Sequence, residues 1–164
     1  HYLGHRTTVG ENMKYLITDG LGRPLACVLF GSSAWKTKPR DTFIGWDAGT
    51  RIQNVNRITN NTRFLILPWV KVPHLASHIL GKIAKRINED WIRKYAHPIY
   101  LLETFVDRDR FKGTCYKAAN WILTGQTKGR TRNDRYSKIK TSIKDIYLYP
   151  LIKDFRGKLQ DASR

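Results

Sequence analysis

Residues 99–126 read IYLLETFVDRDRFKGTCYKAANWILTGQ, and the fold is decided here. The run from Ile99 to Val106 is apolar almost without interruption, the pattern of a strand buried on both faces. Only Glu103 and Thr104 break it. A polar turn, DRDR, follows. FKGTCYKAANW then reads as a short helix, and ILTGQTK as the next strand. Upstream, VPHLASHILGKIAKRINEDWIRKYA has the longest helical pattern in the chain. Leu75, Ile79, Leu80, Ile83 and Ile87 form one apolar stripe. Pro73 suits a first helical turn. Asn88, Glu89 and Asp90 are expected to break this helix before a second, shorter one that carries Trp91 and Ile92.

Further upstream, TRFLILPW predicts a central strand over Phe64–Leu67, stopped by Pro68. DAGTRIQNVNRITNN spaces Ile52, Val55 and Ile58 three apart, which predicts a short amphipathic helix with Asp47 as N-cap. KYLITDGLGRPLACVLFGSSAW reads as a hairpin turning at DGLGRP. FIGW at 43–46 is expected to extend or edge the same sheet, and the opening HYLGHRTTVGENM to be irregular. DIYLYPL predicts a last strand. The order β-β-α-β-α-β-α-β-β implies an α/β (α+β) domain, with a central mixed, mostly antiparallel sheet flanked by helices. A chain of 164 residues fits one such domain.

The formal net charge is +17, from 30 lysines and arginines against 13 acids. Such an excess repels itself and favours polyanions, with nucleic acid foremost. The basic residues do not oppose a clean apolar helical face, so a membrane surface is not expected as a partner. No run of about 18 apolar residues predicts a membrane span, and no secretory pattern opens the chain. A cytoplasmic location is therefore expected. The chain starts at His1 rather than Met, which suits an excised or N-terminally truncated domain. Cys27 and Cys115 lack the close pairing of a zinc site and read as free thiols, although one disulfide between them is open.

The stretch from Tyr100 to Gly129 resembles the C-terminal half of the GNAT acyltransferase fold: LLETFV as its strand, DRDRF as its polar segment, CYKAANW as its alanine-bearing helix and ILTGQT as the following strand. Asn120 stands where that pattern has glycine, and Trp121 where it closes on an aromatic. The chain as a whole resembles the DruA proteins of the Druantia anti-phage defence systems, through HYLG, GW, NNTRFLILPWVKVPHLASHIL, ETFVD and FKGTCYKAANWILTGQTKGR. The resemblance implies a single GNAT-like, DruA-type domain over residues 1–164 and a bacterial defence context, with other defence subunits as partners.

By the GNAT resemblance, Tyr116 is a candidate general acid toward a departing thiolate. The ordinary phenol pKa is about 10 and that of a thiol about 8.5. The plainer alternative packs Tyr116 on Trp121. Glu103, inside an apolar strand, is a candidate base or else the partner of an arginine. Acetyl-CoA or another acyl-CoA is the implied cofactor, held by Val70, Val72, His74, Leu75, Ala76 and Ser77 at a helix start. The pattern R-x-x-G-x-G/A of such enzymes is absent, however, and Pro73 removes one amide donor. His74 and His78 share a helical face, but lack the intervening glutamate of a zinc helix, so no metal is expected.

The basic loop over residues 128–142 places Lys128, Arg130, Arg132, Arg135, Lys138 and Lys140 around Tyr136, with Asp134 the one acid from 128 to 140. Cations neutralise phosphates, and an aromatic among them stacks a base. Three readings follow: a nucleic-acid-binding domain on an acyltransferase-like scaffold; an acyl-CoA-dependent N-acyltransferase acting on a nucleic-acid-linked or protein amine; and a protein-interaction module anchored by Trp35, Trp46 and Trp69.

Overall fold

The computed structural model describes residues 10–129 and 141–161. Strands β1 (Met13–Thr18) and β2 (Pro24–Ser32) form the expected antiparallel hairpin. Its turn is held by the Asp19 carboxylate, which accepts from the Leu21 and Arg23 amides at 2.9 Å each. Along β1, half-buried Met13, Tyr15 and Ile17 alternate with exposed Lys14, Leu16 and Thr18, the period-2 signature of a one-sided strand.

The FIGW segment corrects the expectation of an edge strand. Phe43 and Ile44 end helix α1 (Lys38–Ile44), which has Pro39 in its first turn and is closed by Gly45 at φ 83°. Ile44 is buried, and Phe43 stacks on Phe155 at 5.6 Å. Helix α2 (Ala48–Asn54) begins as expected, with the Asp47 side chain accepting from the Thr50 amide. Its apolar stripe does not hold, because Ile52 is 58% exposed and Ile58 starts the next strand. The buried face is polar instead. Asn54 Nδ2 donates to the carbonyls of Leu159 (3.2 Å) and Asp161 (2.9 Å).

After a single 3-10 turn (Val55–Arg57), β3 runs Ile58–Ile66, starting well ahead of Phe64. Helices α3 (Leu75–Ala84) and α4 (Ile87–Tyr95) divide the long helical pattern. Ile79, Leu80 and Ile83 are buried as expected, and Ile87 belongs to the second helix. The break falls at Lys85–Arg86 rather than Asn88–Asp90. Glu89 and Asp90 instead occupy the first turn of α4, where the helix dipole favours acids, and Asp90 accepts from Arg86 Nε at 2.7 Å. Then follow β4 (Leu101–Asp107), α5 (Thr114–Ala118), β5 (Ile122–Gln126), β6 (Lys144–Pro150) and α6 (Phe155–Gln160).

The six strands form one sheet in the order β1-β2-β3-β4-β6-β5. Every neighbouring pair is antiparallel except β3–β4. Each face carries its own core. Ile79, Leu80, Ile83, Ile87 and Trp91 pack with Leu102, Val106 and Tyr116 on one side. Ile44, Trp46, Phe155 and Leu159 pack with Leu101, Ile146 and Leu148 on the other.

Candidate functional site

The parallel pair β3–β4 is registered only at Ile58–Leu101, Thr59–Leu102 and Asn60–Glu103. Beyond that point the strands part, and a cleft of about 620 Å3 opens between Asn61–Ile66 and Thr104–Asp107. Local chemistry explains the parting. The β2–β3 register slips where Leu29 faces Arg63 and Phe30 faces Asn61, leaving Thr62 as an extra residue. A bulge of this kind bends the strand that carries it. The Asn61 carbonyl is then taken by the Thr104 hydroxyl at 3.0 Å. Asn61 Nδ2 donates back to the carbonyls of Leu29 and Arg63 at 3.0 Å each.

Tyr116 borders this cleft from α5. Its ring meets Trp121 edge-on at 5.1 Å and stacks on Tyr147 at 5.9 Å. The hydroxyl is not at the surface. It donates to Asn61 Oδ1 at 2.6 Å in a buried bond. Gly113 makes this packing fit: it starts α5 at φ 66°, and a Cβ there would lie 2.6 Å from the Tyr147 hydroxyl.

Of the six residues assigned to a cofactor, Ala76 alone lines the cleft. His74 takes the N-cap of α3 in the left-handed region (φ 58°) without a side-chain cap bond, and its carbonyl accepts from Ser77 Oγ at 3.0 Å. Leu75 packs against the core, Val70 is half-buried and Val72 is exposed. The cleft is therefore open toward the start of α3 at Ala76.

Glu103 lies on the opposite face of the sheet from Tyr116, in step with Leu101 and Phe105 of the second core. It is fully buried and held by a clamp. Ala34 N–H donates to Oε1 at 2.6 Å, and Arg40 Nη1 donates to Oε2 at 3.0 Å. Arg40, also fully buried, reaches the carbonyls of Ala34 (2.6 Å) and Trp35 (3.4 Å) and the Asp41 carboxylate (2.9 Å). Arg51 joins Asp41 at 3.4 Å. Burial pushes the Glu103 carboxyl above its ordinary value, while the Arg40 charge and the Ala34 amide pull it down.

Beside this clamp lies a second, open groove of about 940 Å3, walled by residues 34–39 and by β5. Lys128 is exposed on it. Arg130, Arg132, Arg135, Tyr136, Lys138 and Lys140 lie outside the described residues. Among the three tryptophan anchors, Trp46 is a core residue at 8% exposed, whereas Trp35 and Trp69 stand out at 44% and 69%. Sequence reasoning named Trp35 as an anchor but missed Arg40, Asn61 and the lysines Lys36 and Lys38 that follow it. The run WKTKP carried a usable signal, an aromatic followed by two lysines and a proline. Nothing local marks Arg40 or Asn61, because the buried side chains they engage, Glu103 and Tyr116, lie 63 and 55 residues away in the chain. Cys27 and Cys115 are free thiols. No helix among the described residues is long and apolar enough to cross a membrane.

The fold has solved counterparts. A spermidine/spermine N-acetyltransferase from Vibrio cholerae, solved with manganese ions, matches at TM-score 0.52 and 8% identity over 85% of this chain. The chain spans 65% of that structure's length. A spermidine N-acetyltransferase from the same organism, in complex with CoA and spermine, matches at TM-score 0.53 and 8% identity, covering 92% of this chain and 69% of its own. A GNAT-family acetyltransferase from Bacillus anthracis matches at TM-score 0.53 and 8% identity, covering 84% and 66%. The domain thus has a GNAT acetyltransferase-like fold. Comparison with curated proteins returns no match. The family model described as Druantia protein DruA matches residues 1–144, and the chain belongs to the DruA family.

Proposed function

We propose that this DruA domain binds nucleic acid through its basic surface. The observation that carries the reading is the net charge of +17. The interior absorbs little of it, since in the clamp Arg40 and Arg51 face Asp41 and Glu103, two cations to two carboxylates. The excess is left for the surface, where phosphates would neutralise it and release counterions. Lys128 opens the basic loop that concentrates this charge in the sequence. The test is a salt titration of binding to duplex DNA, single-stranded DNA and RNA, with and without Arg130→Ala/Arg132→Ala/Arg135→Ala. The triple variant should weaken binding to all sequences and flatten the slope of log affinity against log salt on duplex DNA by up to about 3. Equal affinity and equal slope for both proteins on all three would remove the loop from the contact surface.

The parted β3–β4 strands favour a second reading, an acyl-CoA-dependent N-acyltransferase. The cleft has room for an extended chain and reaches the start of α3 at Ala76. Pro73 lies ahead of the His74 N-cap and takes no amide from the first turn of α3, but the R-x-x-G-x-G/A pattern that would cradle the cofactor's phosphates is absent. Acetyl-CoA at a hundredfold excess over its Kd would stabilise the fold by about 2.7 kcal/mol if this reading held. No shift in melting temperature at millimolar acetyl-CoA would overturn it.

A further inference from the structure

We propose that the groove beside Trp35 is a single-strand site, in which an unpaired base stacks on Trp35 while Lys36, Lys38 and Lys128 neutralise the flanking phosphates. This deepens the nucleic-acid reading and rests on it.

Charge is the first argument. Lys36, Lys38 and Lys128 all line the groove, and no carboxylate does. None of the three belongs to an ion pair among the described residues. Three unmatched ammonium groups around one groove fit an anion with regularly spaced charges. Downstream of Lys128 the sequence adds five more cations by Lys140.

The second argument is the aromatic wall. Trp35 is 44% exposed, and the facing β5 wall offers Ile122 and Leu123 at 43% and 50%. Every base has a π-face, and stacking on an aromatic contributes about 1 to 3 kcal/mol per base. In a duplex those faces are already stacked. An apolar wall between lysines therefore suits a strand with its bases exposed.

Preorganisation is the third. A tryptophan left on the surface usually costs less when it is free to fold down. Here the clamp fixes the backbone from which Trp35 projects. Glu103 fixes the Ala34 amide, and Arg40 fixes the carbonyls of Ala34 and Trp35. Both side chains are fully buried, so the backbone presenting Trp35 and Lys36 is anchored in the core. Close contact with β5 adds to this at Gly125, where a Cβ would lie 2.8 Å from Pro39 Cβ and Cγ. Glu103 is thus a positioning residue for the groove.

The experiment uses the full chain and fluorescein-labelled oligonucleotides of about 12 nucleotides, as single-stranded DNA, single-stranded RNA and duplex DNA. Binding is read by anisotropy across a salt series. Trp35→Ala, which leaves both cores intact, should weaken single-strand binding about 5- to 150-fold and leave duplex binding within about twofold. Lys36→Ala/Lys38→Ala/Lys128→Ala should flatten the single-strand salt slope by about 2. Lys85→Ala/Lys94→Ala, at the break between α3 and α4 and on α4, should change the slope less. If the parent protein binds none of the three probes, the nucleic-acid reading fails and this inference with it. If it binds but the groove variants keep its affinity and slope, only the groove assignment is overturned. Equal loss on duplex and single strand from Trp35→Ala would overturn the preference for unpaired bases.

Discussion

The cleft between β3 and β4 and the groove beside Trp35 share a wall residue, Phe105, and are otherwise built on different principles. The cleft is a feature of the backbone. It exists because Thr62 bulges, because the Asn61 carbonyl is diverted to Thr104, and because Tyr116 fixes the Asn61 side chain. Asp107 accompanies Arg63 and Lys112 on its lining. The groove is a feature of side chains: a buried ionic clamp presents a tryptophan, and three lysines surround it without an acid. The difference teaches that one sheet can support a cleft shaped by its backbone and a groove shaped by its side chains. Fold and function need not travel together.

The hardest blow to the groove is removal of one partner of the clamp. Glu103→Leu takes the fully buried partner from the Arg40 guanidinium, leaving it Asp41, removes the acceptor of the Ala34 amide, and should cost about 3 to 5 kcal/mol in urea unfolding. The double variant Arg40→Met/Glu103→Leu should recover most of that, because both members of the fully buried pair are gone and Arg51 still faces Asp41. A single-variant cost under about 1 kcal/mol would mean that the pair does not anchor the groove. On the cleft face, Ile79→Ala removes a side chain that is 3% exposed and should cost about 2 to 5 kcal/mol. A change below about half a kcal/mol would show that α3 buries a different stripe.

Tyr116→Phe sharpens the comparison further. It leaves Asn61 Oδ1 buried without its 2.6 Å donor and should destabilise by about 1 to 3 kcal/mol. Groove binding should be untouched. A loss of nucleic-acid affinity without loss of stability would join the two sites that the structure separates.

The smallest effect belongs to neither site. Arg86 holds the Asp90 carboxyl below its ordinary value. A depressed carboxyl contributes stability above the unfolded carboxylate range near 4, and this is lost as pH falls through the lower folded value. Asp90→Asn should flatten the acid limb of stability against pH, by no more than about 1 kcal/mol for so exposed an arginine. An unchanged acid limb would assign that limb to other carboxylates.

Much of the scaffold was legible because it is periodic. The β1–β2 hairpin turned at DGLGRP, the stripe of α3 was buried as spaced, and IYLLETFV entered the sheet between its neighbours. Helix α1 was not legible, because FIGW is apolar enough for a strand and its helical state depends on Pro39 and Gly45 at its ends. Helix α2 misled for the opposite reason. Its buried face is made of Arg51 and Asn54, whose partners are supplied by α1 and the C-terminal residues. Tyr116 was picked out by the GNAT resemblance and Glu103 as a carboxylate inside an apolar strand. Their separation onto opposite faces follows from the alternation of β4 and the packing of α5, and neither the Asn61 bond nor the Arg40 clamp has a local signature.

The central claim is that the excess charge serves a phosphate backbone. Its most direct test is the affinity of the unaltered chain for a single-stranded oligonucleotide of about 12 nucleotides between roughly 50 and 200 mM salt. The account predicts tight binding at the low end and a linear fall of log affinity with log salt, with a slope of about −0.7 for each phosphate neutralised and therefore steeper than about −2 from the three groove lysines alone. No binding at 50 mM salt, or binding that does not change with salt, would contradict it.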